Sequence, residues 1–332
     1  MAVNSWQQIL IEFRALGGVA ENIDLRKGAY GRGIFPLDPE LPSKIQVPED
    51  LLINAKYLHI DSKEIKINRD SPYTPETKIF IDNYLKSIAF EACIWDEINE
   101  FEVGLRELPF EVIKLLENLG ALDLKARHKG NWQEVIFNNF IQSRFIDYKN
   151  QKCLAPIFEL VNHNHNFQTF STNANSGIST EKEKGDHEFL HSYSKGNDPI
   201  RMFFGYGFSS KEPFAFSFPI IINVSTTKKP VRIQGGSGIE GLIHLENQDN
   251  ELLLDYLPIG NKFEPTFPIR QLTATLKPFP EYKPREILNK AFTSNQEEIC
   301  NLLLKLDQSN SKITSLLKKT LYYQLSAIAY YW

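Results

Sequence analysis

The sequence lacks most of the features that decide a function quickly. Only three cysteines, Cys93, Cys153 and Cys300, stand among 332 residues, and they lie far apart. Their number and spacing exclude a spaced zinc cluster or a disulfide framework and fit buried, reduced thiols. A long apolar run is lacking as well. The best stretch, Phe214 to Val224, is interrupted by Ser217, Pro219 and Asn223 and is too short to cross a bilayer as a helix. Charge of one sign is scarce: the net value of −4 gives no global attraction to nucleic acid or to an anionic membrane. The first ten residues have neither the charged start nor the apolar core of a secretory signal, so the Asn223-Val224-Ser225 sequon carries little weight. These absences set the expectation of a cytoplasmic protein with no membrane span, no nucleic-acid partner and no resident metal, its oligomeric state left open.

What is present is material for a core. Apolar residues make up 42% of the chain, and the length suits a catalytic domain with a second lobe. Trp6 to Leu16 carries apolar residues at helical spacing and stops at Gly17-Gly18. Val19 to Leu25 reads as a strand, the turn Lys27 to Gly33 leads into Ile34-Phe35, and Lys44 to Val47 is extended. From Thr77 to Asn139 the pattern is helical, with Phe80, Tyr84, Ile88 and Ala92 on one face and further runs over Phe110 to Leu119 and Trp132 to Ile141, the last ending near Ser143-Arg144. Short strand-like pieces dominate from Leu154 to about Leu257, among them the alternating Phe214, Phe216 and Phe218. Six prolines between Pro258 and Pro284 predict a linker or extended crossing segment. Ser294 with Glu297 predicts a capping box before Ile299, and Ile313 to Trp332 reads as a final amphipathic helix. The expected fold class is α+β: several small sheets interrupted by a helical insertion at about 75–142, then a helical C-terminal lobe. The expected domains are 1–257 and 258–332.

Two central runs stand out. One is Asn162-His163, which follows the apolar stretch Leu154 to Val161 with Glu159 inside it; the other spans Tyr193 through Asn197 to Tyr206-Gly207-Phe208. His163 and His165 have no third ligand at a recognisable spacing, and a polar turn after a buried strand is the ordinary alternative. Tyr193 and Tyr206 read equally well as packed rings with satisfied hydroxyls. Gly31-Arg32-Gly33 permits positive φ and close approach to a ligand, and a plain hairpin turn explains it too. Gly236 to Gly241 fits a dinucleotide-binding glycine pattern. A strand-like Leu242 to Leu245 follows where that fold needs a helix, so a glycine-rich hairpin is preferred to a nicotinamide site.

Taken together and in order, these motifs resemble the SET-domain subfamily of Rubisco large-subunit methyltransferase and actin histidine methyltransferase. Leu16-Gly17-Gly18, Gly31-Arg32-Gly33 and Val47 to Ile53 match the order of its N-terminal part. Leu105-Arg106-Glu107-Leu108-Pro109 and Ser143-Arg144 resemble elements of its helical insertion. Glu159 falls where the family usually has Asp, three residues before Asn162-His163. Tyr193, Asn197 and Tyr206-Gly207-Phe208 stand at matching offsets. The motifs cover roughly residues 10 to 210. Two further departures lie in between: the His163 to Tyr193 stretch is short, and Gly185-Asp186 replaces a usual Gly-Glu, with one extra residue before Tyr193.

The resemblance implies an S-adenosylmethionine-dependent protein-lysine N-methyltransferase, with histidine as the other possible target, acting on a protein substrate. It implies that Gly31, Arg32, Gly33, Arg144, Glu159, Asn162 and His163 bind the cofactor, and that Tyr193 and Tyr206 serve the reaction. Arg144 would face the methionyl carboxylate. The alternative is a catalytically inactive SET-fold binding module, motivated by the departures before Tyr193.

Overall fold

In the computed structural model, which describes residues 5–173, 177–193, 196–236, 238 and 243–329, the chain is α+β, with its strands gathered into several small sheets rather than one. Packing gathers Met1–Glu100 with His128–Tyr193, and Phe101–Arg127 with Ser194–Trp332. These groupings cut the chain at other places than the 257/258 boundary expected from the prolines.

In the first unit, helix Ser5–Ala15 buries Trp6, Ile9, Leu10 and Phe13, and Gly17, at φ +90°, ends it in a conformation that favours glycine. The strand expected over Val19 to Leu25 is two strands, Val19–Glu21 and Ile23–Gly28. Asn22 separates them at φ 52°, a left-handed position that asparagine tolerates better than most residues. Val19–Glu21 pairs with Ser43–Val47, which pairs in turn with Gly177–Lys182 and through it with Ser171–Asn173. Every second residue of Ser43–Val47 is buried, the period expected of a strand with one face on the core.

Ile23–Gly28 forms a hairpin with Gly31–Pro36. Asn162–His163 pairs in parallel with Leu190–His191, so two short segments remote in sequence lie side by side. Helices occupy much of the stretch from Pro75 to Arg144, and two of the α-helices belong wholly to this unit. Pro75–Tyr84 starts with the Thr74 cap and Pro75 in its first turn. Trp132–Arg144 starts with a capping box of Asn131 and Glu134. Phe13, Phe80, Tyr84, Phe140, Phe158 and Phe189 fill the core between these elements.

The second unit carries the alternating phenylalanines on strand Phe214–Phe216, paired with Pro258–Asn261. Between 258 and 284 the expected linker is therefore replaced by a strand and a helix, Phe267–Thr275. The prolines do not break these elements because of where they stand. Pro258 is the first residue of its strand and Pro268 lies in the first turn of its helix, where a missing N–H is tolerated. Pro284 likewise opens helix Pro284–Leu306, which runs unbroken through Ser294. The capping box expected there is absent, because the apolar face is already set by Ile287, Leu288 and Ala291 upstream of it. The final helix spans Thr314–Ala329. The expected turn around Gly236 to Gly241 and strand around Leu242 fall largely outside the described residues. No helix among the described residues is long and apolar enough to cross a membrane.

Candidate active site

The two glycines of Gly31-Arg32-Gly33 have different physical reasons. Gly31 sits at φ +93°, and a Cβ there would meet nothing within 4 Å, so glycine serves the backbone angle at the hairpin turn. At Gly33 the space itself is needed. A Cβ would strike the Glu188 carboxylate and stand 2.8 Å from Asn162 Nδ2. Across the hairpin, a Cβ on Gly28 would stand 2.8 Å from the other Glu188 oxygen and 2.6 Å from the Phe35 ring. Glycine thus clears room beside both strands for one buried carboxylate. Arg32, between the glycines, points its guanidinium at Glu91, with Nη1 3.3 Å from Oε1.

Asn162 ties this hairpin to the rest of the site. Its amide nitrogen donates to the Arg32 carbonyl at 3.0 Å and to Glu188 Oε1 at 2.6 Å, so both N–H bonds are engaged and the amide plane is fixed. Phe189 N–H donates to the Ile34 carbonyl at 2.7 Å, holding the Glu188 segment along the same strand.

Upstream of Asn162 the chain turns sharply. Ile157 adopts φ 68° and ψ −46° while Phe158 N–H reaches back to the Pro156 carbonyl at 2.8 Å. This is a γ-turn of the rare positive-φ hand, strained for a β-branched residue. Tyr84 holds it in place: its hydroxyl accepts the Ile157 N–H at 2.8 Å and donates to Glu159 Oε1 at 2.8 Å. Burial pushes the Tyr84 phenol well above its usual pKa, and the Glu159 charge adds to that. The other Glu159 oxygen takes Arg144 Nη1 at 2.7 Å, and the carboxylate side chain is only 1% exposed. Burial works against the Arg144 charge, but the Glu159 carboxylate offsets it and the guanidinium pKa is raised. Arg144, at the last residue of its helix, is thus engaged on one side by protein. Its remaining nitrogens have no partner among the described residues.

His163 is buried, and its Nδ1 accepts the Tyr193 backbone N–H at 3.0 Å, which in the neutral ring puts the proton on Nε2. The two rings lie 5.0 Å apart. The Tyr193 hydroxyl donates to the Val161 carbonyl at 3.2 Å, so it is anchored on the residue before Asn162. His191, one strand position away, packs among Phe158, Phe170 and Tyr193. Burial pushes its pKa down to about 4, with His163 adding to the effect and the Ser192 carbonyl opposing it.

The structure therefore brings Gly31, Arg32, Gly33, Arg144, Glu159, Asn162, His163 and Tyr193 into the first unit, linked by hydrogen bonds or close approach. Tyr206 belongs to the second unit. The run containing it is not strand-like: Tyr206 is the last residue of helix Pro199–Tyr206, and Gly207 closes that helix at φ 78°. Asp198 before Pro199, with Gly207 at the far end, is a helix start-and-stop signal that the reading of short strands passed over.

Glu188 is the residue that motif reading missed. The expected acidic position was Asp186, which is exposed, whereas Glu188 is 7% exposed. The signal for it was its place directly before Phe189-Leu190 at the parallel pairing. Among the described residues no group of His, Cys, Asp and Glu is arranged to hold a metal ion.

No family profile matches the chain, and no curated protein matches it in sequence. Solved structures do resemble it. The SET domain of LSMT bound to lysine and AdoHcy is 12% identical, with 98% of this chain and 90% of that one covered and a TM-score of 0.46. Rubisco LSMT bound to AdoMet is 12% identical over 99% of this chain and 89% of that one, at a TM-score of 0.45. Rubisco LSMT bound to sinefungin and monomethyllysine gives 12%, 99% and 89%, at 0.46.

Proposed function

We propose that this chain is an S-adenosylmethionine-dependent protein methyltransferase that transfers a methyl group to a side-chain nitrogen, lysine first and histidine second. One observation carries the reading. The Asn162 amide bridges the Arg32 carbonyl and Glu188 while the neighbouring His163 receives Tyr193 N–H, so two remote stretches, the Gly31-Arg32-Gly33 hairpin and Glu188 to Tyr193, converge on one dipeptide.

The residues suit such a cofactor. The hairpin face at Gly28 and Gly33 is free of side chains of its own, and Gly31 leaves open space. Arg144 retains donors beyond the nitrogen that Glu159 engages, and a guanidinium fork matches a carboxylate. The cofactor supplies an activated sulfonium leaving group. The chain's own part is alignment and dehydration. Asn162 and the hairpin fix one wall. The Tyr84–Glu159–Arg144 chain fixes the turn that delivers Asn162 and His163. Tyr193, anchored on Val161, would orient a nitrogen nucleophile through its ring and hydroxyl. A lysine nucleophile must lose a proton held with a free pKa of about 10.4, and an apolar surrounding favours that loss. For Tyr206 the proposal rests on the sequence resemblance.

Titration calorimetry with S-adenosylmethionine, followed by incubation with labelled cofactor and a proteome lysate, tests the reading. Saturable binding and a labelled protein band are expected; no heat at millimolar cofactor would sink it. Tyr193→Phe should cut turnover at least tenfold while leaving cofactor affinity nearly intact, and unchanged turnover removes Tyr193 from the reaction. A second reading, a binding module without catalysis, draws on the Tyr193 hydroxyl being engaged by the Val161 carbonyl. Cofactor binding with no transfer to any lysate protein favours it.

A further inference from the structure

Glu188 has an acceptor that the protein does not satisfy. Its Oε1 takes Asn162 Nδ2 at 2.6 Å. Its Oε2 has no hydrogen-bond donor among the described residues, and no lysine, arginine or histidine pairs with the carboxylate. The residue is nonetheless only 7% exposed. The residue is largely buried, yet Oε2 keeps some contact with solvent, so one oxygen is fixed by an amide and the other lies open to a donor from outside. Burial accordingly pushes its pKa upward, with the Asn162 amide opposing. The hairpin keeps glycine at both positions facing the carboxylate, Gly28 and Gly33, where any side chain would displace it. The strands thus keep their own side chains clear of this acid.

We infer that Glu188 is a binding residue of this site, its free oxygen accepting a hydrogen bond from a donor on the nucleoside ligand, either a ribose hydroxyl or the α-ammonium group. The inference rests on the S-adenosylmethionine reading above and extends it to a residue outside the motifs. Asn162 and Glu188 then act as a pair. The amide fixes the carboxylate, and the carboxylate presents its second oxygen to the ligand.

The test is calorimetric affinity of the wild-type chain and E188Q for three probes: S-adenosylmethionine, S-adenosylhomocysteine and 5′-methylthioadenosine. Glutamine keeps an acceptor for Asn162 and turns an N–H₂ donor toward the ligand, so the Asn162 contact is preserved while the proposed one becomes a clash of donors. A hydrogen bond to a charged group predicts an affinity loss of about tenfold or more. Loss with all three probes assigns the ribose hydroxyls, and loss with the first two alone assigns the ammonium. Wild-type affinity of E188Q for all three overturns the inference, as does a change confined to thermal stability. If E188Q does not melt cooperatively, E188D replaces it: a carboxylate one methylene shorter should lose affinity by a similar factor, and wild-type affinity again overturns the inference. Wild-type protein that binds none of the probes overturns the cofactor reading itself, and the role of Glu188 with it. Wild-type binding with unchanged E188Q affinity removes only Glu188.

Discussion

The segment Ile157 to His163 and the helix Pro199–Tyr206 are placed by different physics. The segment is held by side chains from remote parts of the chain: Tyr84, Arg144 and Glu188 each reach it through a hydrogen bond. The helix carries its start and stop at its own ends, although Arg201 and Asp198 also bond Gly235 and Gln324. The Asp198 carboxylate accepts the Arg201 N–H at 2.8 Å, Pro199 stands in the first turn, and Gly207 N–H closes on the Phe203 carbonyl at 2.9 Å. In the first arrangement every group removed leaves a buried partner unsatisfied, so effects are large and coupled. In the second, Pro199 and Gly207 act within one turn, with small and nearly additive effects, while the buried Asp198 also accepts from the remote Gln324 and Phe216.

Glu159→Ala should separate the two regions most sharply. It leaves the Arg144 guanidinium and the Tyr84 hydroxyl without their carboxylate and should lower stability by about 3–5 kcal/mol in urea unfolding. A loss under about 1 kcal/mol would mean that the segment is held no more tightly than a surface loop. The pH dependence comes next. His191 titrates at about 4 when folded and near 6.5 when unfolded. Between those values the unfolded chain binds the extra proton, so stability falls as pH is lowered through that window, by about 3 kcal/mol in all. Unfolding of His191→Gln should show a flatter profile from pH 6.5 to pH 4; an equal slope would place the dependence on other groups.

Gly33→Ala should cost about 2 kcal/mol by driving a methyl group into Glu188 and Asn162, and should weaken cofactor binding as well. Combining it with Glu188→Asp should recover part of the stability, because the shorter carboxylate withdraws from the methyl. Strict additivity in that double-mutant cycle would break the contact. The smallest effect is expected in the helix. Gly207→Ala places a side chain at φ 78° and should cost about 1 kcal/mol, with no coupling to Asp198→Ala at the other end. Strong coupling between them would erase the contrast between the two regions.

Sequence pattern reached the parts of this molecule whose determinants are local. The first helix with its glycine stop, the Gly31 hairpin, the alternating strand at Phe214 and the helical stretch ending at Arg144 all announce themselves within a few residues. The order of motifs also named the residues that the hairpin, Asn162 and His163 bring together. Pattern failed where a local signal had two meanings. Prolines after Pro258 mark the starts of a strand and of helices as well as linkers, and Ser294 fits a cap or the interior of a long helix. Glu188 was out of reach for another reason. Its burial depends on the absence of side chains at Gly28 and Gly33, about 160 residues upstream, and no local window contains that information.

The parallel pairing of Asn162–His163 with Leu190–His191 also has a consequence in time. Parallel neighbours cannot be joined by a tight turn, so the intervening chain must first be looped out and anchored. The Ser171–Asn173 and Gly177–Lys182 hairpin does this by docking on Ser43–Val47, itself fixed much earlier in the chain. The contact of His163 with Tyr193 thus depends on pairings far apart in sequence, the kind of topology associated with slow folding. A chain that stopped before Leu190 would lack both the strand that pairs with Asn162–His163 and the Tyr193 N–H that His163 receives.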